Sequence, residues 1–177
     1  SYAPNLSSLL IAYPPREGWS LLAVAPVNYE GAVADQPPLF GAGDEVAALR
    51  ALYQSRGVPV TALVEGEATE QALHAMADAG RLDDYAALHI ATHGMSIQGD
   101  TPMESQLLMR DSILDGLEIA NWRLDAEMVV LAACHSGQRA LAGRGLAELP
   151  GDEVFGLQAA FFAAGARRVL GSLWPAD

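Results

Sequence analysis

Lysine is absent from this sequence: all ten basic side chains are arginine, set against 22 acids for a formal charge of −12. That balance repels phosphate backbones and argues against a nucleic-acid partner. It leaves either a basic peptide or protein partner, or merely a well-solvated acidic surface. Cysteine is almost absent as well. Cys134 stands alone, so no internal disulfide can form, which suits a reducing compartment and a cytoplasmic location. Although 51% of residues are hydrophobic, no uninterrupted apolar run has the length of a membrane helix, so no membrane span is expected. The opening "SYAPNLSSLLIAYPPREGWS" lacks a basic lead-in and a long apolar segment, so it does not read as a signal peptide, although a processed precursor would look the same. Repeats, low-complexity tracts and internal linkers are missing too. A chain of 177 residues then fits one domain with a real core.

What is present is an alternation of apolar strands and amphipathic helices. "WSLLAVA" (Trp19 to Ala25), "VPVTALV" (58–64), "YAALHIATH" (85–93), "EMVVLAAC" (127–134) and "RRVLGSLW" (167–174) read as strands. Between the first two, "PVNYEGAVADQPPLFGAG" reads as a long loop, after which Asp44 caps a helix "EVAALRALYQSR". In it Val46, Leu49 and Leu52 or Tyr53 share a face. Thr69 caps a second helix that stops at Gly80, and Gly94 ends the third strand. "QLLMRDSIL" predicts a hairpin turning at Arg110–Ser112, followed by a short helix capped by Asp115; "DEVFGLQAAFFAAG" predicts the last helix. This order predicts an α/β fold, a mainly parallel sheet covered on both faces.

In open α/β sheets, chemistry collects at the carboxyl ends of strands. Two reactive side chains stand there, His93 after the third strand and Cys134 after the fourth. An imidazole can take the thiol proton and return it to a leaving group, so a Cys/His pair suits acyl transfer, above all amide hydrolysis. Backbone N–H groups of Gly94 and Cys134 could serve a tetrahedral oxyanion. Two adjacent parallel strands would bring residues 41 apart in sequence within reach. Spacing alone leaves the alternative open that Cys134 is a buried, inert thiol.

The wording of the segments adds to this. "LHIATHG", then "VVLAACHSG", then "GLQAAFFAAGARRVLGSLWPAD" resembles the CHAT domains of the caspase-like (clan CD) cysteine peptidases, relatives of separase and the metacaspases. "YAPNLSSLL" and "EATEQAL" are similar to that family as well, so the resemblance runs over residues 1–177 as one CHAT domain. It implies a caspase-like three-layer α/β/α sandwich, with His93 as general base and acid and Cys134 as nucleophile. Gly94 and Cys134 would form the oxyanion hole. It also implies endopeptidase cleavage of a protein or peptide substrate with no cofactor and no metal, and activator or sensor domains elsewhere in a full-length bacterial protein acting in defence or programmed death. The chain stops at Asp177 where the family normally continues, which predicts that a C-terminal portion of the domain is lacking. His135 stands where the family often has an acid, and it is given no catalytic role.

Relatives that cut after Arg or Lys hold the basic side chain on an acid, and Asp177 is the best placed candidate for such a charge-assisted contact. An ordinary exposed Asp at the start of a loop is the equal alternative. Trp174 either packs or lines the cleft. The polar stretch 138–153 reads as a mobile loop beside the cleft, or as a self-cleavage site at Arg139 or Arg144. His89 and His93, four residues apart on a strand, would lie roughly 13 Å apart, too far to share a metal. His89 therefore reads as a core or supporting histidine, and His74 as a helix residue with no partner pattern. "GAGDE" (41–45) is too short for a dinucleotide loop. The rival from another class is a catalytically silent caspase-like scaffold that binds a partner.

Overall fold

A computed structural model of the protein describes residues 18–95, 105–133 and 157–171. Five strands form one parallel sheet: β1 (Leu21–Ala25), β2 (Val60–Val64), β3 (Ala87–Ala91), β7 (Met128–Ala132) and β8 (Val169–Gly171), in the spatial order β2-β1-β3-β7-β8. The chain steps outward from β1 to β2, then returns past β1 to β3. That reversal makes the carboxyl ends of β1 and β3 the topological switch point, where the loops leaving the two strands part and open a crevice.

The sheet is covered on both faces, as its apolar strands require. On one side α1 (Phe40–Gln54) buries Ala42 and Val46, with Leu49 and Tyr53 partly buried, against Leu21, Ala23, Ala25, Ala87 and Ala91. Alanines on this face let the helix approach closely. On the other side lie α2 (Glu70–Asp78), α3 (Gly116–Ala120) and α4 (Leu157–Ala164), whose Leu73, Met76, Ile119 and Phe161 pack on Leu22, Leu88, Ile90, Val129 and Leu131. Trp122 joins this larger core, edge-on to Phe161 with ring centroids 6.2 Å apart. The result is the expected three-layer α/β/α sandwich of caspase-like type. Among the described residues no helix is long and apolar enough to cross a membrane.

Local signals explain most boundaries. The Thr69 hydroxyl accepts from Ala72 N at 3.0 Å to cap α2, and Gly80 beyond its end has φ +66°. Asp115 and Glu118 form a reciprocal capping box on α3. In the turn into β8, Gly165 has φ +112°, and a Cβ there would sit 2.2 Å from the Leu124 carbonyl oxygen, so only glycine fits.

Two expectations change, and one pair of alternatives is resolved. Asp44 is not a cap: α1 begins at Phe40, behind Leu39, with no side-chain cap. The Leu39 N–H instead donates to Val27 O at 2.8 Å, so a tertiary contact sets this helix start. Of the alternatives on that helix, Tyr53 faces the sheet, whereas Leu52 is exposed. Finally, Gly94 does not simply end a strand. It opens β4 (Gly94–Met95), which pairs antiparallel with β5 (Gln106–Leu108), itself paired with β6 (Ile113–Asp115) around the expected turn. The outer ends of the last helix and strand, 152–156 and 172–174, lie outside the described residues.

Candidate active site

His93 stands two residues beyond β3, at the switch point. Side chains alternate along the strand, so Thr92 faces the hairpin and His93 the α1 side. The His93 ring nitrogen Nε2 lies 2.9 Å from the carbonyl oxygen of Pro37, in the loop between β1 and α1. A carbonyl can only accept, so Nε2 carries the proton, and in the neutral ring the basic lone pair is left on Nδ1. Tyr29 packs beside the imidazole, ring centroids 5.2 Å apart and tilted by 34°.

The Tyr29 hydroxyl also orders the backbone here. Thr92 Oγ1 donates to Leu108 O, which leaves the hydroxyl of Tyr29 to donate to Thr92 Oγ1 at 3.0 Å. Tyr29 accepts in turn from the His93 N–H at 3.4 Å. Burial raises the Tyr29 pKa above its ordinary 10.0, with the bonds to Thr92 and His93 opposing, so the phenol stays protonated at neutral pH. The His93 carbonyl accepts from Leu108 N at 3.0 Å. That single bond extends the β4–β5 pairing to His93 and Leu108, while the His93 N–H is taken by Tyr29. Gly94, opposite Leu107, is then in the alternating non-bonded position, and its N–H points away from β5.

The hairpin that backs His93 is fastened to the same end of the sheet. Arg110 at its turn donates to Glu30 Oε2 at 3.0 Å and to Glu65 Oε2 at 3.1 Å, and Asn28 Nδ2 donates to Glu65 Oε1 at 2.8 Å. Glu65 has φ +54°, an uncommon conformation for a side-chain-bearing residue, held by these contacts at the carboxyl end of β2. Gly31 allows the turn to close: its φ is +61°, and a Cβ would meet Asp111 O at 2.8 Å.

His89 lies on the α1 face of β3, 7% exposed. Its Nε2 is 3.1 Å from Glu45 Oε1, within ion-pair range but off the direction a hydrogen bond needs. Burial holds its pKa below the ordinary 6.5, with Glu45 pulling the other way. Between the native pKa and 6.5 the unfolded chain therefore binds more protons, and stability falls as pH drops through that window. Against His89→Gln, whose side chain does not titrate, the wild type should lose relative stability between pH 7.5 and 5.5. Urea midpoints of both proteins at the two pH values measure this; a constant difference between them would refute it.

Two of the sequence candidates, His93 and Gly94, thus meet at the carboxyl end of the central strand. Cys134, His135, Trp174 and Asp177 lie outside the described residues, as does the loop 138–153. Tyr29 and Pro37 were not singled out by sequence; the clue available was a Pro-rich loop following a strand end. His74, taken to have no partner pattern, has two: Glu70 Oε1 at 2.8 Å and Glu118 Oε1 at 3.3 Å.

A parallel sheet between helical layers, with His93 at the switch point, is consistent with the caspase-like class of α/β domains. No curated protein matches the chain. The CHAT domain family model matches residues 4–177. The chain belongs to the CHAT domain family, within the caspase-like cysteine peptidases.

Proposed function

We propose that this CHAT domain is a cysteine endopeptidase in which His93 is the general base and acid and Cys134 the nucleophile. One observation carries the reading. Every pair in the β3–β7 register differs by 41 residue numbers, as Ala91 with Ala132 does, and the same 41 separates His93 from Cys134. The Thr92 N–H donates to Ala132 O at 3.3 Å, so that pairing holds up to the residue before His93. With Nε2 committed to Pro37, Nδ1 is the atom that takes the thiol proton. The thiolate attacks the scissile carbonyl, and the imidazolium returns the proton to the departing amine. The N–H groups of Gly94 and Cys134 receive the oxyanion.

Asp177 would select Arg or Lys at the cleavage position through a charge-assisted contact, with Trp174 lining the cleft. The substrate is then a protein or peptide, and the setting a cytoplasmic bacterial defence or programmed-death pathway, with activator or sensor domains in the full-length protein. A peptide-library cleavage assay on the full-length protein tests this. Cleavage after basic residues, abolished by Cys134→Ala, is the expected result. If no cleavage occurs and the Cys134 thiol is no more reactive than a buried one, the protein is a partner-binding scaffold instead.

A further inference from the structure

Glu70 opens α2, His74 follows one turn later on the same face, and Glu118 reaches them from α3. One donor atom from each residue lies within 4.8 Å of the others. Both carboxylates aim at a single atom, His74 Nε2, at 2.8 and 3.3 Å. One N–H cannot serve two acceptors fully, so two anionic oxygens converge on a point that a proton satisfies only in part. The donor set is also pre-positioned. Glu118 Oε2 accepts from Asp115 N at 2.8 Å in the capping box, which turns Oε1 toward His74. The Glu70 N–H donates to Asp111 Oδ1 at 2.8 Å, tying the start of α2 to the hairpin turn. The three side chains are a quarter to a third exposed, so an ion can reach them.

We propose that Glu70, His74 and Glu118 form a binding site for a divalent first-row transition metal of the Zn2+ type. An imidazole with two carboxylates suits such ions, whereas Mg2+ and Ca2+ favour oxygen ligands alone. On binding, the neutral His74 ring exchanges its Nε2–H for an Nδ1–H through solvent, and the freed Nε2 lone pair forms a metal–nitrogen bond beside two metal–oxygen bonds. Water fills the remaining coordination. The ion bridges α2 and α3 on the face of the sheet opposite α1, so it braces the hairpin whose Leu108 contacts the backbone of His93.

Zn2+ calorimetry on Cys134→Ala protein, which has no thiol to compete, tests the site. One equivalent should bind. His74→Ala and Glu118→Gln should each weaken it by about tenfold or more, while His135→Ala changes nothing. Glutamine at 118 can still accept in the capping box, so its effect reports the lost carboxylate charge rather than a lost helix cap. Absence of stoichiometric binding, or binding unaltered by His74→Ala and Glu118→Gln, would overturn the proposal.

Discussion

If the proposed dyad operates, His93→Ala should lower peptide cleavage by about 10²–10⁴-fold, the usual contribution of a positioned acid–base group. It also changes the pH at which Cys134 becomes reactive. An imidazole beside a thiol favours the thiolate, so wild-type alkylation by iodoacetamide should inflect below the ordinary thiol value of about 8.5. Removing the ring should move the inflection up to about that value. The two readouts separate distinct failures. If cleavage falls while the alkylation profile stays put, His93 acts later, on the leaving group. If neither changes, His93 is not the base.

The size of this effect follows from how completely the ring is committed. Pro37 holds Nε2 at 2.9 Å, Tyr29 packs on one side, and the His93 backbone is bonded to Tyr29 and Leu108. A side chain so fixed would lose little entropy on engaging a thiol, and with Nε2 turned to Pro37 it presents Nδ1 in one orientation. A substitute of similar size does not reproduce that. Glutamine could still donate to Pro37, but it has no basic nitrogen for the thiol proton.

The parts of the molecule legible in sequence are those whose causes are local. Thr69 and Asp115 cap helices through side chains that reach only three residues along the chain, so their identities suffice. The strands are legible because burial on two faces demands near-continuous apolar runs, and the parallel order follows from the helices between them. The start of α1 is not legible, because Leu39 and Val27 fix it across a loop. Neither is β4, whose two residues count as a strand only through pairing with β5. In the candidate site, His93 and Gly94 are visible as a strand-end motif, whereas Pro37 and Tyr29 are brought there by the reversal between β1 and β3. His74 was half legible: Glu70 lies one turn before it, but Glu118 arrives from a separate helix.

Glu127→Ala, at the opposite end of the sheet, is expected to destabilise the fold by about 3 kcal/mol. Glu127 starts the approach to β7 and is 8% exposed. Its Oε1 accepts from Arg167 NH1 and its Oε2 from Arg168 NH1 at 3.3 Å, while Arg167 NH2 reaches Asp125 at 2.8 Å. The Arg167 side chain is only 11% exposed. Deleting the carboxylate therefore removes a buried acidic partner from a largely buried guanidinium, and part of the desolvation already incurred is no longer offset. For a domain of this length the loss corresponds to a fall in melting temperature of roughly 6–12 °C. The pair itself need not be strongly stabilising: replacing both members, as Glu127→Leu with Arg167→Met, should recover most of what the single change lost. Urea denaturation of the wild type and the two variants measures this. A single-variant cost below about 1 kcal/mol, the range of exposed pairs, would mean that water screens the pair despite its burial. The double variant separates the two sources of the loss. If it is as unstable as Glu127→Ala, packing around the lost side chains rather than the weakened charge pairing dominates.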